Sequence, residues 1–358
     1  MKGFAHIGAL RALSERGIQP TLVAGTSIGA LIAAAFAGGM SVDDMERRAL
    51  ALRKKDLFRL DRLHMITKRM LSPSLYLPGP LDTLVRDIVP GGTFRTLATP
   101  LLVNTVDLER ASPVVWGLPG LQDVSVADAV YASCALPGFF PPRVIDGRTC
   151  ADGGVINNIP AAVAAYGMDA AICVDVGSTS LVEAHHVKDK GFAAIFMRAA
   201  QTMMRTLQLR TLAAWSGPPL LLVRPEVWKY HWFGFAHTRT MIDAGYVAMH
   251  TALDGASDDL MGTGGVHPRR RVEIRIDRAA CIGCRVCATA APHLIAMDGE
   301  GKAVVTEPNA EWSRADGDFV HQCPTQAIKV AAVEGDARRD TMEWRAAADT
   351  HDDPIGSE

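Results

Sequence analysis

From the start of the chain to about residue 255, short aliphatic runs alternate with stretches whose apolar residues recur every three or four positions. Thr21–Ala24, Pro100–Val106 (PLLVNTV), Ala170–Val176 (AAICVDV) and Pro219–Val223 (PLLLV) read as strands. Ile28–Ala37, Val42–Arg53, Leu81–Ile88 and Phe192–Ala214 read as helices. Strands alternating with helices predict an α/β sheet with helices on both faces. The most apolar run, Ile28 to Met40, falls well short of the roughly 20 residues needed to cross a bilayer. No transmembrane segment is expected, and the run's Ala and Gly content suits a tightly packed interior helix.

Near residue 255 the pattern changes. Gly255–Arg270 (GASDDLMGTGGVHPRR) reads as a linker. Val272–Asp277 (VEIRID) then alternates as a strand does, and a group of cysteines follows. Beyond Glu334 little periodicity remains, as expected of a disordered tail. The expected organisation is a large domain over 1–255, a linker over 256–270, a small domain over 271–333 and a tail over 334–358.

Composition narrows the classes of function. The 358 residues carry 37 basic and 39 acidic side chains, a balance that excludes a nucleic-acid footprint spread over the whole molecule. Hydrophobic content of 48% with 21% charged residues excludes wholesale disorder. Residues 1–20 include Lys2, Arg11, Glu15 and Arg16 without a compact apolar segment, so no secretory leader is expected. The expected compartment is the reducing cytoplasm, where clustered cysteines bind metal or do redox work more often than they form disulfides.

Between the strand ending at Ala24 and the apolar helix from Ile28 lies Gly25-Thr26-Ser27-Ile28-Gly29. A G-x-S-x-G between strand and helix is a nucleophile elbow, whose tight turn requires small flanking residues and lifts the serine above the sheet edge. The following helix aims N–H groups and a positive dipole end at a developing oxyanion. The alternative is a glycine-rich turn with an idle serine. The candidate base is Asp152, in Asp152-Gly153-Gly154, whose glycines allow close backbone approach; the alternative is a turn aspartate.

The stretch Lys2–Gly39 resembles the patatin-like phospholipases, bacterial members in particular. Three further blocks agree in order: Asn104–Asp107, Ala132–Pro142 (ASCALPGFFPP) and Asp152–Gly154. The segment Phe233–Leu253, with Gly245-Tyr246, is similar to the family's closing helix. The resemblance covers roughly residues 1–255. It implies a three-layer α/β sandwich and a Ser–Asp dyad. Ser27 would attack an ester carbonyl, Asp152 would accept its proton, and water would resolve an acyl-enzyme. His6 is read as a packing or capping residue. Leu136, Phe139 and Phe140 are expected to line the acyl site, with plain core packing as the alternative. The family's oxyanion loop has the form G-G-x-[KR]-G, and Lys2 and Gly3 fall on its basic and last glycine positions. The preceding strand and glycines are not in this sequence, so a start codon further upstream is expected. The alternative is a weak or inactive hydrolase.

Residues 281–287 read Cys281-Ile282-Gly283-Cys284-Arg285-Val286-Cys287, and Cys323-Pro324 follows. C-x2-C-x2-C with a distant Cys-Pro suits a [4Fe-4S] cluster and resembles bacterial-type ferredoxins. A two-cluster ferredoxin would continue the first run to another Cys-Pro. Here Ala291-Pro292 stands there, and Ser313, Asp316 and Phe319 occupy the other ligand positions of the second run, so a single cluster is expected. Val272–Asp277 is expected as an outer strand, with Ala303–Thr306 and Ala327–Val330 as further strand segments. The competing reading is a structural zinc site. Cys134, Cys150 and Cys173 are read as buried bystanders.

Two other segments have two readings each. Phe192–Trp215 is a Met-rich helix with Arg198, Arg205 and Arg210. It is either a scaffold helix whose arginines face water, or a lid or membrane-surface helix. Arg269–Arg271 is either solvated linker charge or a contact for anionic lipid. The combined expectation is a cytoplasmic lipid acyl hydrolase, peripheral at a membrane in one reading, carrying an iron–sulfur domain that passes electrons to a partner protein or senses redox state. The rival is a redox protein whose hydrolase-like domain only docks or binds lipid. No nucleic-acid partner is expected.

Overall fold

The computed structural model describes residues 1–61, 74–177, 187–213, 215, 218–227, 230, 234–255, 270–312, 319–323, 325 and 327–332. The expected tail and the linker up to residue 269 lie outside them, as does Pro324. The described elements fall into two compact units, one ending at Gly255 and one beginning at Arg270.

In chain order the first unit contains helix α1 (Ala5–Glu15), strand β1 (Val23–Thr26), α2 (Ile28–Ala37), α3 (Val42–Ala51), α4 (Pro78–Ile88), β2 (Leu101–Asp107), β3 (Ser112–Trp116), α5 (Val126–Cys134), β4 (Arg143–Ile145), β5 (Arg148–Asp152), β6 (Ala171–Val174), α6 (Gly191–Ala213), β7 (Leu220–Val223) and α7 (Thr238–Gly255). The Ala-rich run becomes α2 with nearly every side chain buried, because small side chains let it lie close against its neighbours. Strand β2 is buried along its whole length and is the hub of the sheet.

The register around β2 decides where the site lies. Strand β3 runs antiparallel along one edge, pairing Val103 to Asp107 with Trp116 to Ser112. The other edge is therefore left to both β1 and β5. Strand β1 runs parallel along Leu101–Asn104, and β5 runs antiparallel along Asp107–Thr105. The two meet head to head: Thr26 pairs with Asn104, and Asp152 with the next residue, Thr105. The alternating pattern predicted β1, β2, β6 and β7. The antiparallel β3–β5 portion is an addition to it.

Strand β6 pairs in parallel with β7, forming a second small sheet. Helices α1 and α7 pack backbone to backbone. A Cβ on Gly8 would sit 1.8 Å from the Ile242 carbonyl oxygen, and one on Gly245 would sit 1.8 Å from that of Ala5. That contact accounts for the glycine of the predicted closing helix.

In the second unit, strand β8 (Arg270–Ile276) lies between β11 (Asn309–Trp312) and β12 (Ile328–Ala332), both antiparallel to it. The expected outer strand is thus the central one of three. Strands β9 (Ile295–Met297) and β10 (Ala303–Val305) form a hairpin. A short helix, α8 (Val286–Ala290), follows the cysteine loop. The core gathers Ile274, Leu294, Ile295 and Phe319, with the Trp312 and Phe319 rings edge to face at 5.3 Å.

Candidate active site and cysteine centre

Ser27 stands between β1 and α2 with φ +57° and ψ −128°, a backbone conformation that non-glycine residues rarely adopt. A Cβ on Gly25 would lie 2.4 Å from the Ala30 nitrogen, so this position accepts only glycine. Gly29 differs: the nearest atom to an added Cβ is Nε2 of His6, at 3.5 Å. The requirement for small residues on both sides of the serine therefore holds at Gly25 and not at Gly29.

Two buried side chains that the sequence reading left without a role hold the turn. The Ser27 N–H donates to Ser133 Oγ at 2.9 Å, and that hydroxyl donates to the Asn104 carbonyl at 2.7 Å. Asn104 Nδ2 donates to the Asn157 carbonyl at 2.7 Å and to Thr26 Oγ1 at 3.3 Å. The serine turn, the central strand and the loop after Asp152 are thereby tied together. Ser133 looks like filler in an Ala-rich helix, and only the fold shows its hydroxyl aimed at the turn.

Asp152 ends β5; its carboxylate accepts the Gly154 N–H at 2.8 Å and interacts with the Ser27 side chain. Burial pushes its pKa up to about 6, against the opposing pull of the Gly154 N–H and the Ser27 side chain. The head-to-head meeting of β1 and β5 brings the serine and the carboxylate together. His6 lies beside Gly29, and burial holds it down to about 4, so it is neutral at pH 7. Gly3 packs directly on the residue after the serine: an added Cβ would lie 2.2 Å from Ile28 Cγ2.

A cavity of about 960 Å³ opens at this point, with Ser27, Asp152, Lys2, Gly3, Leu136 and Phe140 in its walls. Phe139 is not among them; its ring lies 6.1 Å from that of Tyr76. Leu57, Phe58 and Leu84 add apolar surface that the sequence did not single out. The cavity is also lined by residues 18–29, including β1, and by residues 170–177, including β6. Among the described residues β1 pairs only with β2, and β6 only with β7, so each strand has a free edge. Just past β6, Asp175 is buried, its Oδ2 lacking a hydrogen-bond partner among the described residues, although the Arg224 guanidinium lies 3.7 Å away. Cys134, Cys150 and Cys173 are buried, and burial raises all three thiols.

In the second unit all four candidate ligands, Cys281, Cys284, Cys287 and Cys323, line one small cavity with Ile276, Met297 and Ile328. The loop bends through left-handed backbone at Gly283 (φ +70°) and Arg285 (φ +63°). The sulfurs receive backbone donors, Ala303 N–H to Cys281 at 3.5 Å and Ala327 N–H to Cys323 at 3.3 Å. Such donors stabilise thiolate, and they hold the Cys281 thiol below its usual range. Among the described residues no three Cys, His, Asp or Glu side chains converge to hold a single metal ion. Four thiols around one apolar cavity, with N–H groups on the sulfurs, fit a cluster of several irons.

Comparison with known proteins agrees with both units. Residues 1–165 match the family model of patatin-like phospholipases, and residues 274–330 match that of the 4Fe-4S single cluster domain. An uncharacterized NTE family protein of Mycobacterium tuberculosis is 33% identical over 184 residues, covering 50% of this chain and 47% of the relative. Patatin-like phospholipase domain-containing protein 6 of Homo sapiens is 32% identical over 180 residues, covering 49% of this chain and 13% of the relative. The chain thus spans about half the length of the mycobacterial relative and much less of the human one. VipD from Legionella pneumophila aligns with TM-score 0.38 and 15% identity over 71% of this chain and 65% of its own, a likeness too distant to add to the assignment. By its sequence matches the chain is similar to the patatin-like phospholipases over residues 1–165, and residues 274–330 match a single-cluster 4Fe-4S domain.

Proposed function

We propose that the first unit hydrolyses acyl esters of lipids with Ser27 as nucleophile and Asp152 as general base. The observation that carries this reading is the Ser27 side chain set against a buried carboxylate whose pKa burial raises to about 6. At pH 7 that carboxylate is mostly ionised and still basic enough to take a proton in the transition state. Oγ adds to the ester carbonyl as its proton passes to Asp152. The tetrahedral intermediate then collapses, and the alcohol leaves with that proton. Water, deprotonated by the same carboxylate, releases the acid and restores the serine.

The Ser27 N–H is already bonded to Ser133, so the oxyanion needs other donors. The Ile28 N–H, in the first turn of α2 and free of an intrahelical acceptor, is one. The N–H of Gly3, packed against Ile28, is the second. The free edges of β1 and β6 on one cavity support the expectation that a further strand, with the glycine loop leading out of it, completes this site. Leu136, Phe140 and their apolar neighbours would take the acyl chain.

We further propose that Cys281, Cys284, Cys287 and Cys323 hold a [4Fe-4S] cluster, which when bound supplies one-electron transfer to a partner protein or a redox signal. The hydrolase domain would extend past the matched residues to about 255, because α7 packs on α1. A reducing cytoplasm would keep the four thiols available for iron.

The test is hydrolysis of a chromogenic fatty-acyl ester by the protein, with and without the residues encoded in frame upstream, beside Ser27→Ala. Activity lost in Ser27→Ala supports the reading. Equal turnover in both proteins would leave the first unit as a docking or lipid-binding module.

A further inference from the structure

Helix α6 runs from Gly191 to Ala213 with three arginines and no acidic residue. A scaffold helix turns its apolar stripe inward and its charges to water. This one does the reverse. Phe192 is 81% exposed, Met203 59%, Phe196 58%, Ile195 47% and Leu207 39%. At 100° per residue these five side chains fall within a single arc of about 120°. The Phe192 and Phe196 rings stack at 6.2 Å between centroids. On the opposite face Gln208 is buried, its Nε2 lacking a hydrogen-bond partner among the described residues, and Arg198 and Arg205 are half-buried. Met204, on that inner side, lines the cavity holding Ser27 and Asp152.

We propose that the outer face of α6 seats in the surface of an anionic bilayer, with the helix axis in the plane of the interface. This rests on the lipid-hydrolase reading for its purpose but not for its test. Charge selects the partner. The exposed Arg210 closes the stripe at its carboxyl end, the exposed Lys188 precedes it, and Asp189 is the one acid in that approach. Size argues the same way. A stripe over residues 192–207, at about 1.5 Å each and about 10 Å wide, offers on the order of 240 Å². That is well below the roughly 800 Å² per partner that a stable dimer buries, but it suits the apolar face of an interfacial helix. Because the same helix walls the cavity, docking holds the site against the source of its substrate.

The experiment is co-sedimentation of the full chain with vesicles of phosphatidylcholine alone and of phosphatidylcholine with phosphatidylglycerol. The protein should bind the anionic vesicles, more weakly as salt rises. Phe192→Ser with Phe196→Ser should weaken binding at least about tenfold. Arg210→Glu should weaken it on anionic vesicles only. An unchanged circular dichroism spectrum and melting temperature in these variants show that they fold. Ser27→Ala should bind as the parent does, which separates docking from catalysis. Equal binding by the double-serine variant would overturn the proposal, as would no binding to either vesicle. So would a dimer in solution that those serines dissociate.

Discussion

Asp152→Asn separates the two consequences of burying a carboxylate. Burial raises the Asp152 pKa from the usual 3.8 to about 6. A shift of about 2 units corresponds to about 3 kcal/mol, which the folded state loses on ionising this group at neutral pH. The sign follows from proton counts. Below pH 3.8 the carboxyl is protonated in both states and costs nothing. Between 3.8 and 6 the folded state binds more protons than the unfolded one, so stability falls as pH rises. Above 6 the penalty is complete. Asparagine has nearly the same shape, keeps an acceptor for the Gly154 N–H and never ionises. The variant should therefore be more stable than the parent at pH 7 by up to about 3 kcal/mol, with the difference vanishing near pH 4. Urea denaturation at both pH values measures this. Ester turnover should fall by roughly 10²–10⁴, the range that general-base catalysis contributes. In the parent, kcat/KM should rise to a plateau with a midpoint near pH 6. A variant less stable at pH 7, or a difference that does not change with pH, would refute the buried-carboxylate account.

Further outcomes follow from particular contacts. Gly25→Ala should abolish folding or activity, because its Cβ meets backbone at 2.4 Å, whereas Gly29→Ala should leave both nearly intact; soluble yield and ester turnover compare them. Ser133→Ala strands the Ser27 N–H and the Asn104 carbonyl in the interior, so chemical denaturation should show a loss of about 2 kcal/mol or more. Cys281→Ala should lower bound iron and acid-labile sulfide in the purified protein, while Cys150→Ala should leave both unchanged; stoichiometric zinc in place of iron would contradict the cluster assignment.

Much of this architecture was legible where local pattern and packing agree. The Ala-rich run gave α2 at its observed ends, since buried small residues and helical spacing mark the same segment. Ser27 stood out because strand, glycine turn and apolar helix are contiguous. Asp152 stood out as a candidate base by its flanking glycines, with a turn aspartate as the alternative, but its meeting with Ser27 was not legible in the local pattern. It depends on β1 and β5 sharing one edge of β2, a long-range pairing that neither strand's composition records. The strands Arg143–Ile145 and Arg148–Asp152 are too short to show a period of two. Phe139 and Phe140 are neighbours of one type, and only the backbone between them decides which one faces the cavity. For α6 the composition was clear but its orientation was not, because two stripes of one helix compete for the interior. The arginines expected in water at 198 and 205 are instead half-buried.

The central claim is that Ser27 is a nucleophile activated by Asp152. A fluorophosphonate phosphonylates an activated serine, with fluoride leaving, and peptide mass spectrometry reads where it has bound. The account predicts one adduct, on Ser27, formed by the parent protein and strongly slowed in Asp152→Asn. An unlabelled Ser27, or labelling at the same rate in Asp152→Asn, would contradict it.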